Sequence, residues 1–177
     1  MRRLLLKSFV HGPLTEPAPA KDDAALAELA ARVDRASHKR LGRALAIREV
    51  DAGSCNGCEL EIHALNNPYY NIEGLGIRFA ASPRHADLLL VTGPVAVNME
   101  RALRIAYEAM PGPKLVVAVG ECGCNGGIFG ESYASRGGVA NVIPVDVAVP
   151  GCPTRPIEIL RGILTAIRAP RTNDTTP

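Results

Sequence analysis

Two stretches decide the fold: Ala86-Asp87-Leu88-Leu89-Leu90-Val91-Thr92 and, a helix-length later, Leu115-Val116-Val117-Ala118-Val119-Gly120. Both are short, continuous apolar runs, the pattern of strands buried on both faces. Between them, segment 99–110 sets Met99, Leu103, Ala106, Tyr107 and Met110 on one helical face. Working outward, Ala46–Val50, Ile77–Ala80 and Val142–Val147 are further runs of the same kind, several bounded by Gly, Pro or Asp. Segment 155–168 repeats the helical spacing with Ile157, Leu160, Leu164 and Ile167, with Thr154 as the expected N-cap and Pro170 just past its end. Strands alternating with helices imply an α/β fold with a parallel sheet covered on both sides, whose ligands sit beyond the carboxyl ends of the strands.

Residues 44–168 form this α/β domain. Ahead of it, residues 1–43 read as an N-terminal arm and helix: Leu4, Leu5, Leu6, Phe9 and Val10 give an apolar edge, and Pro13, Pro17 and Pro19 stop a long helix there. A helix follows over 22–41, with Asp22 and Asp23 at its start, Lys39 and Arg40 near its end, and Gly42 as its stop. The polar tail, 169–177, is expected to be flexible.

The chain has 177 residues, 47% of them hydrophobic, and a formal net charge of +2. That balance argues against a nucleic-acid binder. The charge is uneven, with ten Lys/Arg against six Asp/Glu in residues 1–50 and ten against twelve in the remainder. A basic arm on a slightly acidic body suggests a docking segment, for a membrane subunit or a neighbouring soluble one. No apolar run reaches bilayer-spanning length. The start, Met1-Arg2-Arg3-Leu4-Leu5-Leu6, has the look of an export signal, but Lys7 and then His11-Gly12-Pro13 break it too soon. A cytoplasmic location is therefore expected.

Five cysteines suit no closed disulfide framework. Cys55 and Cys58 follow the first strand, Cys122 follows the run at 115–120, and Cys152 follows the run at 142–147. Strand ends thus deliver four thiols to one sheet edge, with glycines beside each: Gly53, Gly57, Gly120, Gly123, Gly126, Gly127 and Gly151. Four converging thiolates are the ligand set of an iron–sulfur cluster or of zinc. A Cys-x-x-Cys between strand and helix is also the place of a thiol–disulfide redox pair, a reading that leaves Cys122 and Cys152 unexplained. There is no Walker loop, dinucleotide fingerprint or nucleophile–base motif.

Gly53-Ser54-Cys55-Asn56-Gly57-Cys58-Glu59, Thr92-Gly93-Pro94-Val95, Gly120-Glu121-Cys122 with Gly126-Gly127, and Pro144-Val145-Asp146 leading to Pro150-Gly151-Cys152-Pro153 together resemble the family of the complex I 20-kDa subunit and the [NiFe]-hydrogenase small subunit. The resemblance implies a flavodoxin-like, doubly wound parallel sheet and one [4Fe–4S] cluster on Cys55, Cys58, Cys122 and Cys152. Spacing of the double glycine favours Cys122 over Cys124, which is expected to be a packed or semi-exposed thiol. The Cys-x-x-Cys spacing, in place of adjacent cysteines, is similar to hydrogenase small subunits, and a short chain without further cysteine clusters resembles the energy-converting, membrane-bound type related to formate hydrogenlyase and hydrogenase-4. That implies a large nickel–iron catalytic subunit next to the cluster, a ferredoxin-like iron–sulfur subunit, and attachment through membrane subunits at the inner face of the cell membrane. The alternative is the quinone-proximal cluster subunit of an NADH:quinone oxidoreductase. Glu59 and Glu61 flank the first motif as candidates for proton transfer, with favourable placement at a helix N-terminus as the plainer reading. His63 reads as a surface or interface histidine with no evident partner, and Asp146 as a carboxylate that accepts backbone N–H bonds.

Overall fold

The computed structural model describes residues 23–169; the arm proposed at 1–21 and the tail beyond 169 lie outside the described residues. Helices are α1 (Asp23–Leu41), α2 (Gly57–Ala64), α3 (Val97–Ala109), α4 (Gly120–Asn125) and α5 (Pro156–Arg168), and strands are β1 (Ala46–Asp51), β2 (Arg78–Phe79), β3 (Leu88–Thr92), β4 (Leu115–Val119) and β5 (Val147–Val149). The strands form one sheet in the order β2-β1-β3-β4-β5, every neighbouring pair parallel. This is the flavodoxin-like order, with its switch point between β1 and β3.

The two-residue period of the strands explains the layering. Leu88, Leu90, Val117 and Val119 face one core with Leu29 and Val33 of α1, Ile62 and Leu65 beside α2, and Ile159, Leu160 and Ile163 of α5. Leu89, Val91, Val116 and Ala118 face the other, with Leu103 of α3 and Met110. Burying each such aliphatic side chain contributes about 1.5–3 kcal/mol, so both faces of the sheet need their cover. Helix α1 belongs to this covering layer. Its Arg40 reaches the end of α5, where Nη1 donates to the carbonyls of Ala166, Ile167 and Ala169 at 3.0, 2.6 and 3.0 Å. At the amino edge of the sheet, buried Asp87 accepts from Arg43 Nη2 at 2.6 Å and from the Ala46 amide at 3.0 Å.

Two expectations need correction. The last strand does not run over 142–147; it begins at Val147. Val139–Asn141 form a 3₁₀ turn, Val142 and Ile143 are buried in the α3-side core, and Pro144 has no amide to donate. Asp146 marks the start of pairing: its amide donates to Val116 O at 2.9 Å and its Oδ2 accepts from Val116 N at 2.7 Å. Thr154 is not the N-cap of α5, a position held by Arg155. Its buried hydroxyl turns back to the carbonyls of Val149 and Pro150, at 3.4 and 3.3 Å.

Candidate functional site: a cysteine edge on the parallel sheet

Because all five strands point the same way, the segments that follow β1, β3, β4 and β5 emerge on one edge. After β1, Asp51 Oδ1 accepts from the amides of Gly53 and Ser54 at 2.7 and 2.8 Å, folding the chain back before Cys55. The β1 loop is tied to the β3 loop by Ala52 N–H to Thr92 O at 3.0 Å and Ala96 N–H to Ala52 O at 2.8 Å. The loops after β4 and β5 are joined by Glu121 N–H to Gly151 O at 2.9 Å. Each cysteine-bearing segment is thus fixed either to its own strand end or to a neighbouring loop.

The thiols come together at this edge. All five cysteines are free, with Cys55 and Cys152 exposed and Cys58, Cys122 and Cys124 half-buried. Burial pushes the Cys58 thiol above its ordinary range, a backbone hydrogen bond from Thr154 opposes this, and the charges of Glu59, Cys55 and Cys152 add to the rise. Burial likewise raises Cys122, helped by Cys152, Cys55 and Cys58. Cys124 stands apart. Burial, then Glu121, push it up to about 11 against a backbone hydrogen bond from Val149, and Cys58 is the one thiol acting on it. Its Sγ faces the Ala118 carbonyl at 4.0 Å.

The separation of Cys122 from Cys124 follows from α4, a short helix that reading the loop from sequence missed. Residues two apart on a helix point to different sides, so Cys122 and Cys124 present their thiols in different directions.

Two glycines leave room for the sulfurs. A Cβ on Gly120, at φ +83°, would lie 2.6 Å from Cys58 Sγ, and one on Gly127, at φ +54°, 2.9 Å from Cys122 Sγ. Both positions need a left-handed backbone and the absence of a side chain. Among the described residues, no group of three or more His, Cys, Asp or Glu is arranged to hold a single metal ion. A four-iron cluster takes one thiolate per iron, which sets its sulfurs farther apart than the donors of one ion. Cys55, Cys58, Cys122 and Cys152 all lie in the loops of this edge, and Gly120 and Gly127 leave space beside the sulfurs of two of them, Cys58 and Cys122.

The carboxylates are split. Glu59 is 5% exposed, and neither of its oxygens has a hydrogen-bond partner among the described residues; Glu61 is half-buried on α2. His63 does have a partner, contrary to expectation: its Nε2 lies 3.7 Å from Oε2 of Glu49. Burial raises Glu49 above the usual carboxylate range, His63 opposes the rise, and Glu59 and Asp51 add to it. Sequence reasoning also missed a set of exposed apolar side chains. Ile128 is 94% and Tyr133 99% exposed, with Leu60 and Phe129 also open to solvent. The one available signal was an apolar pair, Ile128-Phe129, enclosed by Gly126-Gly127 and Gly130.

Fold and edge together define a class: a flavodoxin-like α/β protein that presents a cysteine cluster beyond the carboxyl ends of its strands. The chain belongs to the family described as NADH ubiquinone oxidoreductase, 20 Kd subunit, which it matches over residues 55–166. It is similar to the probable membrane-bound hydrogenase subunit mbhJ of Pyrococcus furiosus, 46% identical over 73% of this chain and 77% of that one. It is 40% identical to formate hydrogenlyase subunit 7 of Escherichia coli over 85% of this chain and 58% of that protein. Among solved structures it resembles a chain of the membrane-bound sulfane sulfur reductase, an archaeal respiratory membrane complex. The TM-score there is 0.62 at 36% identity, covering 74% of this chain and 71% of the other. Its relatives are oxidoreductase subunits of hydrogenase and NADH–quinone oxidoreductase complexes, and so is the class to which this chain belongs. No helix among the described residues is long and apolar enough to cross a membrane.

Proposed function

We propose that this chain is the electron-transfer subunit of a membrane-bound, energy-converting [NiFe] hydrogenase, carrying one [4Fe–4S] cluster on Cys55, Cys58, Cys122 and Cys152 beside the nickel–iron subunit. The observation that supports the reading is the edge itself, where three loops carry these four cysteines and Gly120 and Gly127 leave space against the sulfurs of Cys58 and Cys122. When bound, the cluster supplies one-electron transfer. The chain's own residues hold the thiolates, and the backbone hydrogen bond from Thr154 to Cys58 stabilises the charged form of that sulfur. Leu60, Ile128, Phe129 and Tyr133 are exposed apolar side chains that suit contact with the large catalytic subunit. A ferredoxin-like subunit and membrane subunits complete the assembly in this reading, which places the chain on the cytoplasmic face of the membrane through its partners. The identities to hydrogenase-type subunits and the Cys-x-x-Cys spacing support it.

The alternative, a quinone-proximal subunit of an NADH:quinone oxidoreductase, is favoured by the family match and by a 44%-identical NADH-quinone oxidoreductase subunit from Desulfovibrio desulfuricans. One gentle purification of the native complex tests both. Iron and acid-labile sulfide in this chain, nickel in its partner and hydrogen-dependent dye reduction are the expected result. Zinc in a colourless chain would overturn the cluster, and NADH-dependent quinone reduction without nickel would overturn the hydrogenase assignment.

A further inference from the structure

The end of the molecule opposite the cysteines carries a different feature. α1 and α5 both finish at the amino edge of the sheet, and between their ends lies a cleft of about 600 Å³. Arg32, Arg35, Lys39 and Arg168 line it, around a floor that includes Ala36 and Ile167. Arg40 is already engaged by the last carbonyls of α5. The other four basic groups have no hydrogen-bond or ion-pair partner among the described residues. Elsewhere on the body Arg43, Arg104, Arg136 and Arg161 each hold a carboxylate, and others such as Arg84 and Arg101 have no ion pair among the described residues but do not line this cleft. Glu28, one turn before Arg32, is the acid on the same helical stripe and pairs with none of them. Asp34 faces His38 instead. Two helix C-termini favour some positive charge here, but four unpaired cations exceed what their carbonyls can use when Arg40 already caps one of them.

We infer that this cleft binds the headgroups of anionic phospholipids, so that the chain itself touches the membrane surface. Unpaired basic groups match the phosphate. The apolar floor matches the first methylenes below it, contact for which a free inorganic anion has no use. The sequence that precedes α1 has a compatible composition, with Arg2, Arg3 and Lys7 among Leu4, Leu5, Leu6, Phe9 and Val10, the mixture that favours the interface of an anionic bilayer. The geometry also keeps the two ends independent. α5 has 13 residues, and at a rise of about 1.5 Å each it sets Arg168 about 20 Å from the start of that helix at the cysteine edge.

The test is cosedimentation of the purified full chain with vesicles of phosphatidylcholine alone or with added phosphatidylglycerol. Each basic residue near such a surface is worth about fivefold in affinity. The triple variant R32Q/R35Q/K39Q should therefore lose about a hundredfold on anionic vesicles. A control with the same net charge, R84Q/R101Q/K114Q, should bind within a few-fold of the native chain. Binding should also weaken as salt rises. Circular dichroism on each variant checks that the fold survives. If the cleft variant misfolds, R168Q alone should still show about a fivefold loss. Equal binding to both vesicle types, undiminished binding of the cleft variants, or full occupation of the cleft by inorganic phosphate alone would overturn the inference. So would crosslinks from Lys39 to an acidic segment of another subunit in the intact complex.

Discussion

Replacing Gly120 with Ala separates what the fold needs from what the cysteine edge needs. The new Cβ would stand 2.6 Å from Cys58 Sγ and 3.4 Å from Gly151 O. Non-bonded heavy atoms settle at about 3.5–4 Å, so the sulfur must retreat by about 1 Å. The backbone adds its own cost, because φ is +83° and a left-handed alanine is disfavoured by about 1–2 kcal/mol. In the cluster-free chain Sγ is the end of a rotatable side chain, and leaving its rotamer well costs about 0.5–1.5 kcal/mol. The total, about 1.5–3.5 kcal/mol, is survivable for a domain whose stability is on the order of 5–15 kcal/mol. With a cluster bound, the sulfur is tied to iron and cannot move. The expected outcome is a folded chain with a lowered urea midpoint and severely reduced iron, acid-labile sulfide and visible absorption. Gly130→Ala is the control: φ is +52° and its Cβ meets nothing within 4 Å, so it carries only the backbone cost and keeps its iron. A Gly120→Ala chain with full iron content would refute the argument. Equal loss in both variants would assign the effect to backbone strain rather than to the sulfur contact.

Cys122→Ser should abolish the cluster while Cys124→Ser keeps it, read by iron content and the visible band; the reverse result would exchange the two roles. Arg43→Met removes the guanidinium from buried Asp87 and should cost about 1–3 kcal/mol, measured as a shift in urea midpoint at unchanged m-value. Glu49 has a folded-state value raised above its ordinary 4.5, so the native state holds its proton longer than the unfolded state does, and stability falls as pH rises from the unfolded value through the folded one. Glu49→Gln should therefore match the native chain at about pH 4 and gain on it at about pH 8; no difference between the two pH values would sink this.

How much of this was legible in the sequence depended on the kind of signal. Leu88–Thr92 and Leu115–Val119 were readable because central parallel strands are apolar on both faces, and α3 and α5 because one face of each is apolar. The β5 region misled because Val142, Ile143 and Val147 are all buried or half-buried apolar residues. Periodicity cannot tell a strand from a turn packed over the opposite core, whereas Pro144 and the pairing of Asp146 with Val116 can. α4 escaped because a short helix of Gly-Glu-Cys-Gly-Cys-Asn has no apolar stripe. The Glu49–His63 approach joins a strand to the far end of the helix that follows it, and no local pattern encodes it.

The cysteines needed no pairing rule to be grouped, and the reason is topological. In a parallel sheet every strand end lies on one edge, so residues separated by 97 positions, as Cys55 and Cys152 are, are brought to one place by strand order alone. Strand order does not fix their spacing to the accuracy a cluster requires. That task falls to bonds between and within loops: Asp51 to Gly53 and Ser54, Ala52 to Thr92, and Glu121 to Gly151. None of these bonds uses a thiol, so the edge can hold its shape before any cluster binds. Electron transfer favours a site whose atoms move little between charge states, and preorganised donors incur little reorganisation. The same polarity leaves the ends of α1 and α5 at the other edge, with their basic groups. A sheet with antiparallel strands would have scattered both sets, so the separation of the cysteine edge from the basic cleft follows from strand direction.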